Sequence, residues 1–177
     1  GGGSCYEQET FDEIAKVAKS LGCATHIDGA RIFNAAIATG VEVSRMCEHY
    51  DSVSICFSKG LGAPVGSVLV GSSAFIARAH RWRKMFGGGW RQAGLLAAAC
   101  LHALDNHVDR LIDDHHRAQR IAKMLNDLPM FTVDLDTVQT NMIYAETNGP
   151  ASEVVEKYAR HGVDMFDLSA NRIRVVV

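Results

Sequence analysis

Two short apolar segments, each followed closely by a charged residue and a glycine, constrain the fold of this chain more than any other feature. They are residues 23–27, which precede Asp28, and residues 52–57, which precede Lys59. Short apolar runs bounded by turn-forming residues are typical of buried strands. The residues between them, 33–49, contain two helical patterns. This strand, helix, strand order predicts two parallel strands in one sheet and therefore an α/β fold.

The rest of the chain continues the α/β pattern. Thr10 and Glu13 form a capping box that predicts the start of a helix running to Leu21. Residues 67–70 predict a strand that is short enough to return antiparallel. After it, the pattern predicts helices at 73–86, 92–104 and 108–128, strands at 131–135 and 141–145, a helix at 152–161, and strands near 163 and at 173–177. This alternation after three consecutive helices predicts a second, smaller α/β unit that begins within the helix at 108–128.

Composition and charge exclude several classes of protein. The 177 residues are 47% hydrophobic and 21% charged, with a net charge of -2. These values are typical of packed globular proteins and exclude attraction to nucleic acids or anionic membranes through bulk charge. The five cysteines are scattered without metal-ligand spacing, and the first residues lack a signal-peptide pattern. We expect a cytoplasmic protein with free thiols and no metal, nucleic-acid or membrane partner.

Asp28 and Lys59 are the residues whose positions indicate chemistry. Ligands of open α/β sheets bind at the carboxyl ends of the strands, where both residues lie. Pyridoxal phosphate (PLP) needs a lysine amine for its aldehyde and an anion for its ring nitrogen. Either residue alone is more commonly an ordinary turn or surface residue. Their occurrence at the ends of two successive strands predicts a PLP site.

Three motifs in this order resemble the low-specificity L-threonine aldolases, which are PLP enzymes of fold type I with an aspartate-aminotransferase-like architecture. The motifs are His-Ile-Asp-Gly-Ala-Arg at 26–31, the segment from Ser54 to Ser67 around Ser-Lys-Gly-Leu-Gly-Ala-Pro-Val-Gly, and Gly-Gly-Gly-Trp-Arg-Gln-Ala-Gly at 87–94. Shorter matches at 140–142 and 174–176 extend the resemblance over nearly the whole chain.

The resemblance implies four cofactor-binding residues. Lys59 would form the Schiff base with PLP, and Asp28 would pair with the pyridinium nitrogen. Arg31 would face the phenolic-oxygen side of the ring and the substrate carboxylate. Arg91 would hold the cofactor phosphate, since a guanidinium fork fits phosphate oxygens.

The resemblance also implies the substrate and the reaction. Arg174 would bind the α-carboxylate of the substrate, although Arg172 lies two residues away on the same strand face and is an alternative. The reaction would be retro-aldol cleavage of L-threonine or L-allo-threonine to glycine and an aldehyde. The full-length protein would be a homodimer or homotetramer. Serine hydroxymethyltransferase-like activity, β-elimination, and a catalytically incompetent structural role remain alternatives.

The ends of the chain differ from the family pattern. In the family, the phosphate loop, the ring-stacking residue and a candidate catalytic base precede the aspartate motif, and Thr-His follows Arg-Val-Val. The resemblance therefore implies that residues 1–105 are the C-terminal half of the large PLP-binding domain and residues 106–177 most of the smaller C-terminal domain, cut off at Val177. We expect this chain to be a fragment that lacks the N-terminal part, binds PLP weakly and turns over little.

Three histidines and a basic segment are given no catalytic role. We expect His115 and His116 to be exposed helix residues, and His26 to be a core residue or a neighbour of the site. We expect residues 78–84, which are rich in Arg and Lys, to form a solvated or subunit-facing side of a helix rather than a nucleic-acid patch.

Overall fold

The computed structural model describes residues 2–177, and these residues form two compact units. Gly1, the first residue of the predicted large-domain part, lies outside the described residues. The N-terminal unit comprises Tyr6–Arg110, and the C-terminal unit comprises Leu111–Val177 together with residues 2–5. The boundary falls five residues after the one expected from the sequence, and the correspondence of the units to a large and a small domain remains a prediction. No helix within 2–177 has the length and hydropathy needed to span a membrane.

The N-terminal unit consists of five helices and three strands. In chain order they are α1 (Gln8–Ser20), β1 (His26–Gly29), α2 (Ile32–Thr39), α3 (Val43–Cys47), β2 (Ser52–Cys56), β3 (Ser67–Gly71), α4 (Ser73–Met85) and α5 (Gly94–Asn106). The predicted capping box is wrong: α1 begins after Glu7, so Thr10 lies inside the helix and caps nothing. Ser72 does cap α4, because its side chain accepts a hydrogen bond from Phe75 N.

The three strands form one sheet in the order β1-β2-β3. β1 and β2 are parallel, with Asp28 opposite Ser54, and β3 returns antiparallel to β2. Both predictions for these strands are therefore confirmed. One face of β1 and β2 packs against α2 and α3 through a buried apolar cluster, formed by Ile27, Ile32, Met46 and Val53. Because side chains alternate along a strand, the residues next to Ile27 and Val53 point to the opposite face.

The C-terminal unit is an antiparallel sheet with two helices. Its elements are α6 (Leu111–Asn126), β4 (Phe131–Thr132), a short 3-10 turn (Leu135–Thr137), β5 (Met142–Thr147), α7 (Ala151–Ala159), β6 (Phe166–Ser169) and β7 (Arg172–Val176), with strand order β4-β5-β7-β6. The strand predicted near residue 163 begins three residues later, at Phe166. The strand predicted at 131–135 shortens to two residues because Asp134 caps the 3-10 turn through its side chain.

The core of the C-terminal unit includes one face of α6. Ala118 and Ala122 on this face are fully buried with Ile143 and Ile173 of the sheet. His115 lies on the same face, three residues before Ala118, and is 2% exposed. The predicted exposure of His115 is therefore wrong, whereas His116 is exposed as predicted.

Candidate functional site

The candidate site lies on the face of the three-stranded sheet that points away from the apolar cluster. We call it the polar face and define it by His26, Asp28, Ser54, Cys56 and Ser67. His26 and Asp28 are exposed, whereas Ile27 between them is buried. Paired residues on neighbouring strands share a face, so Asp28 and Ser54 form one row, and Cys56 and Ser67 form the next.

Asp28 is the last residue but one of β1 and lies at the start of a tight turn toward α2. Its Oδ1 accepts a hydrogen bond of 3.2 Å from Ala30 N, the contact that a short acidic side chain makes to the backbone two residues later. The next residue must be glycine, because a Cβ at Gly29 would lie 2.8 Å from Val53 Cγ2 and 2.9 Å from Ser54 O. The carboxylate is thereby fixed at the carboxyl end of the strand and remains exposed.

Lys59 lies in a closed turn three residues after the end of β2. Gly62 N donates to Lys59 O at 2.8 Å, and Ala63 N donates to Phe57 O at 3.0 Å. Gly62 has a φ of +72°, a left-handed conformation that favours glycine. The turn brings Lys59 Nζ to 3.4 Å from Cys56 Sγ. The structure therefore places the amine beside a residue of the polar face, one row beyond the row that contains Asp28.

His107, which directly follows α5, supports this turn, and the sequence did not identify it. Its Nδ1 donates a hydrogen bond of 2.6 Å to Leu61 O, two residues after Lys59. A carbonyl oxygen only accepts, so this contact fixes the proton on Nδ1. Leu61 is 3% exposed, so its carbonyl has little access to water. No local sequence signal connects His107 to a turn that lies 46 residues away.

His26 also lies on the polar face. Its Nδ1 is 2.9 Å from Ser52 Oγ on the adjacent strand. Because His26 is exposed, the prediction of a core histidine is wrong. The alternative prediction, a neighbour of the site, fits its position two residues before Asp28.

The two arginines assigned to the cofactor lie in the same unit but differ in their surroundings. Arg31 is half-buried at the start of α2, three residues after Asp28. Arg91 is exposed between α4 and α5 and makes no hydrogen bond or ion pair within residues 2–177. The cofactor-binding roles of both arginines remain predictions.

Arg172 and Arg174, both in strand β7 of the C-terminal unit, make different contacts. Arg172 Nε lies 3.2 Å from Glu146 Oε1, and its guanidinium lies 5.1 Å from the centre of the Tyr144 ring. Arg174 instead stacks over Phe166 at 4.9 Å, and its buried Nε has no hydrogen-bond partner among the described residues. A buried guanidinium nitrogen without a partner is costly. Arg172 therefore already has an acidic partner, whereas the binding of the substrate carboxylate by Arg174 remains a prediction.

A cavity of about 750 Å³ lies at the opposite end of β1 and β2. It is lined partly by Thr25 and Asp51, whose carboxylate accepts hydrogen bonds from Thr25 N at 2.8 Å and from Thr25 Oγ1 at 3.0 Å. These two bonds lower the pKa of the Asp51 carboxyl. Since every polar contact of Asp51 here holds the start of β1 to the start of β2, we interpret this region as structural.

Comparisons with known proteins agree with the motif resemblance. The model of the beta-eliminating lyase family matches residues 1–148. An Arabidopsis thaliana relative named "Probable low-specificity L-threonine aldolase 2" is 46% identical over 99% of this chain and 51% of its own length. The low specificity L-threonine aldolase of Escherichia coli K12 is 42% identical over 89% of this chain and 46% of its own length. The chain thus spans about half the length of these curated relatives.

Solved structures agree on the fold. A candidate L-allo-threonine aldolase from Listeria monocytogenes EGD-E superposes with a TM-score of 0.82 over 96% of this chain and 49% of that one, at 20% identity. This likeness confirms the predicted fold type I architecture. Because the family model matches most of its residues, the chain belongs to the beta-eliminating lyase family.

Proposed function

We propose that the full-length protein is a PLP-dependent enzyme that cleaves L-threonine or L-allo-threonine to glycine and an aldehyde. The observation that carries this proposal concerns Asp28 and the Lys59 amine: Asp28 lies on the polar face, and the amine contacts Cys56, which lies one row further along that face. The names of the curated relatives support the same activity.

The side chains on the polar face fit PLP in kind and in spacing. The cofactor carries its aldehyde and its ring nitrogen at opposite ends of the ring, so it needs an amine and an anion that are separated. Asp28 and Cys56, the residue that contacts the Lys59 amine, are one strand apart and one row apart. This corresponds to about 5 Å across the sheet and about 7 Å along it. The separation leaves room for a ring between the carboxylate and the amine.

Each residue then has a defined task. When bound, PLP would supply an electron sink for the bond that breaks between Cα and Cβ. Lys59 would bind the cofactor through its amine. Asp28 would hold a proton on the ring nitrogen, since its Oδ2 stays available while Oδ1 accepts from Ala30 N. Arg174 would bind the α-carboxylate of an amino acid through its guanidinium.

Lysine replacement in the full-length protein tests the proposal. We expect wild type to develop the Schiff-base absorbance band with PLP, and borohydride reduction followed by peptide mapping to place the cofactor on Lys59. Lys59→Ala should abolish the band and the release of glycine from threonine. Lys16→Ala, which removes an exposed lysine of α1, is the matched control and should retain both. Cofactor trapped on another lysine would refute the assignment.

The family description supports a second candidate, β-elimination. A β-eliminating enzyme would release pyruvate and ammonia from serine, whereas an aldolase would release glycine and an aldehyde from threonine. Quantifying glycine and pyruvate from threonine, serine and phenylserine separates the two reactions. Pyruvate as the main product would favour β-elimination.

Assembly and location belong to the same proposal: a homodimer or homotetramer in the cytoplasm. Phe86 and Leu95 of the N-terminal unit are 82% and 83% exposed, which supports their burial in a larger assembly. Light scattering of the full-length protein measures this mass directly, and a monomer would contradict the proposed assembly.

A further inference from the structure

The hydrogen-bond partner of the Lys59 amine within residues 2–177 is a thiol. Lys59 Nζ donates to Cys56 Sγ at 3.4 Å, and the same sulfur lies 3.5 Å from Ser67 Oγ. Ser67 is paired with Cys56 across the antiparallel strands β2 and β3. Cys56 therefore lies between the lysine amine and a hydroxyl group on the neighbouring strand.

The backbone produces this arrangement. Cys56 is the last residue of β2, and Phe57 after it is buried, so alternation directs the Cys56 side chain to the polar face. The turn closed by Gly62 N and Lys59 O then folds the lysine back over the end of the strand. The strand and the turn thus bring the Lys59 side chain within reach of the Cys56 thiol.

We propose that Cys56 is a positioning residue, which holds the Lys59 amine over the polar face before PLP binds. This inference rests on the proposed function of Lys59. A lysine side chain is long and flexible, and without a partner its amine would sample many positions. A thiol accepts only a weak hydrogen bond and carries no charge in its protonated form. Cys56 can therefore orient the amine and still release it when the cofactor aldehyde arrives, whereas a carboxylate would retain it as an ion pair.

The contact can be tested without enzymatic activity. Ortho-phthalaldehyde joins an adjacent amine and thiol into a fluorescent isoindole, in which the amine nitrogen forms C–N bonds to both aldehyde carbons, the thiol forms one C–S bond, and both aldehyde oxygens leave as water. Cofactor-free full-length protein should yield this isoindole on the peptide that contains Cys56 and Lys59. Cys56→Ala and Lys59→Ala should abolish it, and Cys23→Ala, which removes an exposed thiol elsewhere in the unit, should not. Absence of the Cys56–Lys59 isoindole in wild type would overturn the inference.

The positioning role is tested by the rate at which Lys59 captures PLP. We expect Cys56→Ala to slow the appearance of the Schiff-base band by about two- to threefold, the factor set by one hydrogen bond at the weak end of the usual range. Cys56→Ser, which restores an acceptor, should recover part of the rate, and Cys23→Ala should match wild type. A capture rate in Cys56→Ala equal to that of wild type would overturn the inference.

The outcomes separate this inference from the proposed function. Failure of borohydride to trap PLP on Lys59 in wild type would refute the proposed function itself. Trapping on Lys59 at an unchanged rate in Cys56→Ala would refute only the role of Cys56. Circular dichroism shows whether Cys56→Ala folds. If it does not fold, the isoindole test on wild-type protein decides the question, and failure of wild type to form the Cys56–Lys59 isoindole refutes the inference.

Discussion

Replacement of Gly29 by alanine tests the packing that sets the polar face. An added Cβ would lie 2.8 Å from Val53 Cγ2 and 2.9 Å from Ser54 O, both closer than a real methyl group allows. The φ of Gly29 is not positive, so the whole penalty arises from these contacts. Both contacts are made with β2, and their relief requires the parallel strands to move apart. Overpacking of this kind costs about 1–3 kcal/mol.

Thermal unfolding measures this cost. For a chain of this size, a loss of about 1–3 kcal/mol lowers Tm by roughly 2–12 °C. Gly94→Ala is the matched control, because a Cβ at the first residue of α5 meets nothing within 4 Å and alanine favours a helix by about 1 kcal/mol over glycine. We expect Gly94→Ala to melt at or above the Tm of wild type. A Gly29→Ala variant as stable as wild type, or a Gly94→Ala variant that loses as much stability, would refute the reasoning.

The polar face and the C-terminal unit carry four more predictions. Asp28→Asn should lower kcat of the full-length enzyme far more than it changes KM, and steady-state kinetics that show an effect on KM alone would contradict the role of Asp28. Arg174→Lys should raise the KM for threonine by about tenfold or more, the effect of losing a bidentate contact, and Arg172→Lys should change it less; the reverse order would assign the carboxylate to Arg172. His107→Ala should cost about 1–3 kcal/mol in urea unfolding, because the buried Leu61 carbonyl loses its donor, and unchanged stability would contradict that contact. Burial lowers the pKa of His115 from its ordinary 6.5, so the unfolded state takes up more protons below that pH and the free energy of unfolding should fall as the solution is acidified; a His115→Leu variant with the same pH dependence would refute this.

The sequence predicted the strand pair because its signals are local. Residues 23–27 and 52–57 carry their own apolar runs and turn residues, and a short helical connection permits only a few topologies. The observed strands begin or end within three residues of the predicted bounds. Asp28 and Lys59 were therefore placed correctly at the carboxyl ends of neighbouring strands from residue order alone.

The wrong predictions concern polar residues whose type suggested a different environment from the one they occupy. His115 follows Leu111 by four residues and precedes Ala118 by three, which places all three on one helix face. That spacing signals burial, but the polarity of histidine suggested solvent. Thr10 and Glu13 likewise match a capping pattern, but helix α1 begins at Gln8 and its N-cap, Glu7, makes no side-chain cap. A local pattern predicts burial and capping poorly when they depend on tertiary packing or on where the helix begins.

The contacts that complete the candidate site depend on the register of the sheet, which no single local segment of the sequence determines. Side chains change face with every residue, so a slip of β1 by one position would direct Asp28 into the apolar cluster and Ile27 toward Lys59. The register is fixed by the burial of Ile27 and Val53, which are paired across the two strands. The chemistry on the polar face is therefore specified by apolar residues on the opposite face. It follows that a polar residue at position 27 or 53 should impair PLP capture even though neither side chain can reach the cofactor.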